Sequence, residues 1–162
     1  MRLSFMLKHH FFNAFRELFV HHHGSLEFRA KIFALIISAN EESHDEAYEI
    51  VKKITLNIYN DNEDRANLLM LSTKELVRKI KDDTAFNIDT LIANIQKELK
   101  IIPRYAKKID TESLKELINL SRDKDTVSYQ ENILEFLQVL KEETLQTNKS
   151  QIAKDEENLG IR

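Results

Sequence analysis

Carboxylates are the side chains in this sequence whose types and spacing could do chemistry. Glu41, Glu42, Asp45 and Glu46 crowd one short stretch beside Asn40, and Asp123, Asp125 and Glu131 crowd another far downstream. Several convergent oxygens hold a hard cation such as Ca²⁺ or Mg²⁺. Asn40, Glu42, Asp45, Glu46, Asp123, Asp125 and Glu131 are therefore candidate ligands, provided that the two stretches meet. Neither stretch has the Asp-x-Asp-x-Asp-Gly order of an EF-hand loop. Capped, solvated helix starts account for the same residues without an ion, because acidic groups favour the positive end of a helix. His44, beside Asp45 and Glu46, could serve as a transition-metal ligand or general base. No nucleophile motif, glycine-rich phosphate loop or His-x-x-x-His spacing accompanies it. No catalytic residue is assigned, and an enzyme is not expected.

The second chemical feature is a stripe of phenylalanine. Over residues 2–23, Leu3, Leu7, Phe11, Phe12, Ala14, Phe15, Leu18 and Phe19 fall on one half of a helical wheel. Arg2, His9, His10, Asn13, Arg16 and Glu17 fall on the other, while Phe5 and Lys8 break the pattern. Such a helix packs its apolar face onto a bundle, or rests on a membrane surface or partner. Phe5, Phe11, Phe12, Phe15 and Phe19 are the candidate contact residues for that second role. His21, His22 and His23 point about 100° apart on a helix, so they need outside help to hold a metal. Gly24 after them predicts a helix end.

Composition limits the elements that position these groups. With 162 residues the chain is expected to form one domain. Only 2 Gly and 1 Pro occur, so long helices with short polar links are predicted rather than sheets and tight turns. The absence of cysteine excludes disulfides and fits a reducing cytoplasm. No apolar run reaches the 18 residues of a membrane span, and Lys8, His9 and His10 interrupt the N-terminal apolar run. A cytoplasmic protein is expected. Net charge is −3, with Lys and Arg scattered among acids, which gives no reason to expect nucleic acid. Arg104, Lys107 and Lys108 form the one compact basic patch.

The chain is organised around Phe28 to Ala39, whose centre Ile32-Phe33-Ala34-Leu35-Ile36-Ile37 is apolar on every side and predicts a buried central helix. Ser43-x-x-Glu46 has the spacing of a capping box and opens a helix carrying Ala47, Ile50, Val51, Ile54 and Ile58. After the polar link Asn60-Asp61-Asn62, residues 63–81 place Leu69, Leu76 and Ile80 on one side. A further helix runs from Asp89 to Lys100 with Asn87 as its cap, and Pro103 stops it and starts a short turn through Ile109. Ser113 to Arg122 is the next helix. A second capping box, Ser128 to Glu131, opens the last, which carries Ile133, Leu134, Phe136, Leu137 and Leu140. Residues 146–162 are polar and are expected to fray.

A shift of 85 residues lays Ile32, Phe33 and Leu35 on Leu117, Ile118 and Leu120, and lays Ser43 and Glu46 on Ser128 and Glu131 (117 − 32 = 85). The shared unit is an apolar helix, an acidic turn and a capped second helix. Over residues 26–145 this pattern resembles the tellurite-resistance TerB-like family, a type also found as the N-terminal domain of DnaJ-like membrane co-chaperones. The matching stretches are Ala39 to Glu46, Asp123 to Glu131, and Pro103 to Asp110 leading into Leu114-Lys115-Glu116-Leu117. The family carries Asp-Gly in its turns, whereas this chain has Asn40-Glu41 and no glycine in either turn. The resemblance implies an all-helical fold with an acidic cluster for divalent cations. By that likeness Glu46 and Glu131 keep the family's glutamates, Asp123 or Asp125 stands for one aspartate, and Asn40 for the other.

The expectation is an all-α bundle of about seven helices with two related helix–turn–helix halves. It comprises an N-terminal Phe-rich helix (1–25), a TerB-like domain (26–145) and a polar tail (146–162). The expected role is a non-catalytic, stress-related interaction or adaptor module with a protein partner, peripheral membrane contact or self-association. A protein binding Ca²⁺ or Mg²⁺ through the acidic turns is the alternative.

Overall fold

A helix with apolar side chains all round is stable only where other helices cover it, and residues 24–38 form such a helix, α1. The computed structural model of the chain describes residues 24–42 and 45–160. Along α1, Phe28, Ala30, Ala34, Leu35 and Ile36 are fully enclosed and Ile32 and Phe33 nearly so. Enclosing a side chain such as Phe28 or Leu35 contributes about 1.5–3 kcal/mol. The other elements are α2 (Asp45–Ile58), α3 (Glu63–Asp82), α4 (Ile88–Ile101), a 3-10 helix (Pro103–Lys108), α5 (Thr111–Ile118) and α6 (Lys124–Asn158). No strand occurs among the described residues, which form an all-α bundle of seven helices, one of them 3-10.

Four neighbours touch α1 directly. Lys31 Nζ reaches Asn94 Oδ1 at 2.8 Å and Glu98 Oε2 at 2.7 Å, which ties it to α4. The Phe28 ring lies 5.4 Å from that of Tyr105 on the 3-10 helix. The Arg29 guanidinium sits 5.8 Å from the Tyr59 ring, just past α2. Gln130 Nε2, on α6, donates to the carbonyl of Ile36 at 3.0 Å. Around this centre α2 packs on α3 and α5, and α6 packs on α5 and the 3-10 helix.

Caps fall where short polar side chains precede an apolar run. Asn62, Asn87, Asp110 and Asp123 each accept a backbone N–H three residues on, at Arg65, Thr90, Ser113 and Thr126. Asn60 and Asp61 adopt left-handed φ values of 54° and 62° between α2 and α3, which these two residue types tolerate better than most.

Five expectations change. Gly24 is helical, and a Cβ there would lie 2.6 Å from Tyr105 Oη, so its role is close approach rather than termination. The helix expected over Ser113–Arg122 is α5, which ends at Ile118. The last helix begins at Lys124 under an Asp123 cap, so Ser128 and Glu131 lie within it on its exposed side. Residues 146–158 do not fray: α6 runs on to Asn158, because local pairs such as Gln151 Nε2 to Asp155 Oδ1 (3.0 Å) support it and no Gly or Pro interrupts before Gly160. The halves are also offset differently. Their first helices end at 38 and 118 and their second begin at 45 and 124, so the spacing is 80 and 79 rather than 85 (118 − 38 and 124 − 45). The 85-residue register matched the second Ser-x-x-Glu, which does not cap. The helix expected at 2–23, its phenylalanines Phe5, Phe11, Phe12, Phe15 and Phe19, the histidines before Gly24, and Ser43 and His44 lie outside the described residues.

Candidate functional site

The end of α1 leaves carbonyls without helical partners, and polar side chains complete them. Backbone bonds from Ala39 to Leu35 (3.3 Å) and from Asn40 to Ile37 (3.1 Å) close the last turn and pass over the Ile36 carbonyl. Gln130 fills that gap from α6 and is itself 1 % exposed. A chain of hydrogen bonds continues from it. Ser121 Oγ donates to Gln130 Oε1 at 2.8 Å, and Asn40 Nδ2 donates to Ser121 Oγ at 3.1 Å. Asn40 Oδ1 then accepts the Glu42 N–H at 3.0 Å. The Nδ2 end of the Asn40 amide therefore joins the turn after α1 to the turn before α6, while its Oδ1 end braces its own turn.

That junction brings the two acidic stretches near each other without making them converge. Among the described residues no three Asp, Glu, His or Cys side chains are placed to hold one ion. Asp45 and Glu46 lie exposed in the first turn of α2, where the helix dipole favours them. Asp123 caps α6, accepting from the Thr126 N–H and hydroxyl, both at 3.0 Å. Asp125 lies in the first turn of that helix and Glu131 faces solvent nearly two turns further on.

The structure does bring Asn40, Glu42 and Asp45 to one wall of a groove of about 380 Å³. Its floor is Ile37, Tyr48, Val77 and Ile80; Glu41, Glu42 and Asp45 edge one side, and Lys74, Arg78 and Lys81 on α3 edge the other. The amphipathic periodicity of α3 dictates this arrangement: Leu69 and Leu76 turn into the core while Val77 and Ile80, half-buried, meet the groove. Lys74 Nζ stands 5.5 Å from the centre of the Tyr48 ring. Burial, and then the nearby Asp45 carboxylate, raise the Tyr48 pKa, so its hydroxyl stays protonated at neutral pH. Arg78 is partly held by Glu75 (3.2 Å) and Asp82 (3.7 Å) on its own helix. The groove thus offers an apolar floor with opposite charges on its two edges.

Sequence reasoning gave Asn40 its position but not its task, and it missed Gln130 and Ser121. Gln130 lay inside the supposed second capping box. Its only signal is a polar residue three positions before Ile133 and seven before Leu137, on the same buried face. No helix among the described residues is long and apolar enough to cross a membrane. No protein-family model, curated protein or solved structure matches the chain.

Proposed function

We propose that this chain is a non-catalytic helical interaction module of TerB-like kind, working in the cytoplasm. The observation that supports this reading is the groove between the turn after α1 and the second half of α3. A partner segment fitting it presents apolar side chains to Ile37, Tyr48, Val77 and Ile80. Its basic groups face Glu41, Glu42 and Asp45, and its acidic groups face Lys74 and Lys81. Opposed edges of this sort fix orientation and suppress wrong partners more than they add affinity. The phenylalanine stripe of residues 1–25 adds a second contact in this reading, with the same partner or with a membrane surface.

The test replaces two half-buried residues of the floor that sit at the edge of the core. A chain carrying Val77→Glu with Ile80→Glu keeps its cooperative melt and loses a protein that the unaltered chain retains on affinity capture. An unchanged set of captured proteins refutes the reading. Deleting residues 1–23 probes the second contact: a folded core that no longer binds partner or vesicles supports it, and loss of cooperative unfolding assigns those residues to the bundle instead.

A further inference from the structure

Toward the other end of α1, away from the groove, positive charges gather without matching acids. Arg29 on α1 and Lys108 at the close of the 3-10 helix line one narrow crevice with Ile32, Phe33, Ile58 and Asp110. The enclosed part of that crevice is only about 10 Å³. Arg29 is held over the Tyr59 ring at 5.8 Å, and its buried Nε has only the Tyr59 hydroxyl, just outside good hydrogen-bond geometry, as a neighbouring acceptor. Arg104 is held over the Tyr105 ring at 5.6 Å. Aromatic faces of this kind fix a guanidinium without neutralising it. None of the ion pairs among the described residues includes Arg29, Arg104 or Lys108.

The crevice has one carboxylate, and it is engaged elsewhere. Asp110 accepts the Ser113 N–H at 3.3 Å and the Ser113 hydroxyl at 2.6 Å as the cap of α5. Lys108 records the resulting imbalance: burial first, and then the charges of Arg29 and Arg104, lower its pKa below the usual lysine range. Like charges held together favour an anion that joins them.

We propose that Arg29 and Lys108 form a binding site for the phosphoryl group of a phosphorylated side chain on a protein partner. A phosphoryl group carries close to two negative charges at neutral pH and several acceptor oxygens, which suits paired cations better than a single carboxylate does. The enclosed volume has no room for a nucleotide or sugar body, so the anion sits at the mouth with its carrier outside. A carrier that is an extended peptide meets that geometry. The concave shape and the net charge of −3 disfavour a flat anionic membrane.

The experiment measures binding of a phosphoserine peptide, its unphosphorylated twin, inorganic phosphate, and vesicles of phosphatidylcholine with phosphatidylserine, all at one ionic strength. The phosphopeptide is expected to bind at least about tenfold tighter than its twin, a difference of about 1.4 kcal/mol, and Arg29→Gln and Lys108→Gln each abolish the difference. A second readout guards against misfolded variants. Lys108→Gln relieves repulsion, so it melts at the same temperature as the unaltered chain or higher when no phosphate is present. Equal binding of the two peptides overturns the proposal. So does phosphopeptide binding that survives both substitutions, or binding by phosphate or vesicles alone.

Discussion

The two parts of α6 share one backbone and are held by different forces. From Lys124 to about Leu140 the helix belongs to the core: Gln130, Ile133 and Leu137 are buried, and Asp123 caps the start. Beyond that no residue is buried, and Ile152 is 50 % exposed. There Leu140, Thr144, Thr147 and Gln151 instead form one wall of an open groove of about 530 Å³ facing Leu99, Lys100 and Pro103. Helical backbone therefore does not require burial, whereas a fixed position in the bundle does. The first part is placed by packing, and the second persists because its local pairs suffice once a helix has been started.

The sharpest way to break this comparison is to truncate one apolar residue in each part. Leu137→Ala is expected to cost about 2–5 kcal/mol, whereas Ile152→Ala stays within about 0.5 kcal/mol, both read from urea unfolding. Similar losses at the two sites would mean that the distal part is docked. Next in size is Gln130→Leu, which leaves the Ile36 carbonyl and Ser121 unmet and is expected to cost about 1–3 kcal/mol. At the boundary, Lys141 Nζ donates to the Ile109 carbonyl at 2.8 Å and its charge acts on Asp110. Burial pushes the Asp110 carboxyl up, but the hydrogen bonds from Ser113 and Glu112 and the charge of Lys141 outweigh it and hold the pKa below the usual aspartate value. Its folded pKa is depressed, so its contribution is full above an unfolded value of about 3.9 and fades as pH falls through the folded one. Asp110→Asn should flatten that part of a stability–pH curve, and the lost cap energy in Asp110→Ala is about 1 kcal/mol. Smaller still, deleting residues 146–162 is expected to cost under about 1 kcal/mol and to lower helical circular dichroism without altering cooperativity. Last, millimolar Ca²⁺ or Mg²⁺ should leave the melting temperature unmoved, and a rise that Glu46→Ala with Glu131→Ala abolishes would restore the acidic turns as a cation site.

The same contrast marks where the sequence was legible. Burial of α1 could be read directly, because Ile32 to Ile37 admits no solvent face. Asn87 and Pro103 also behave as their types dictate, the one capping α4 and the other ending it. The start of α6 was misplaced since Ser128-x-x-Glu131 and Asp123-x-x-Thr126 are equally good local signals, and the choice between them is made by which face meets the core. Polar composition over residues 146–162 predicts fraying, yet α6 persists to Asn158. Glu, Lys, Gln and Ala are good helix formers that need no burial once a helix exists. Asn40 was legible as a turn residue, but its partner Ser121 lies 81 positions away, and no local pattern encodes that distance. The meeting of Arg29 and Lys108 in one crevice was hidden for the same reason.

The bond from Gln130 to the Ile36 carbonyl spans 94 residues. On the ribosome, α1 is complete long before α6 exists, and at typical rates the wait is roughly 5–20 s. For that interval the most apolar segment of the chain has its C-terminal end open and only its earlier neighbours for cover. Closing so long a loop is a late event, so weakening this clamp should quicken unfolding more than it slows refolding. Its greatest physiological effect would fall on the yield of newly made protein.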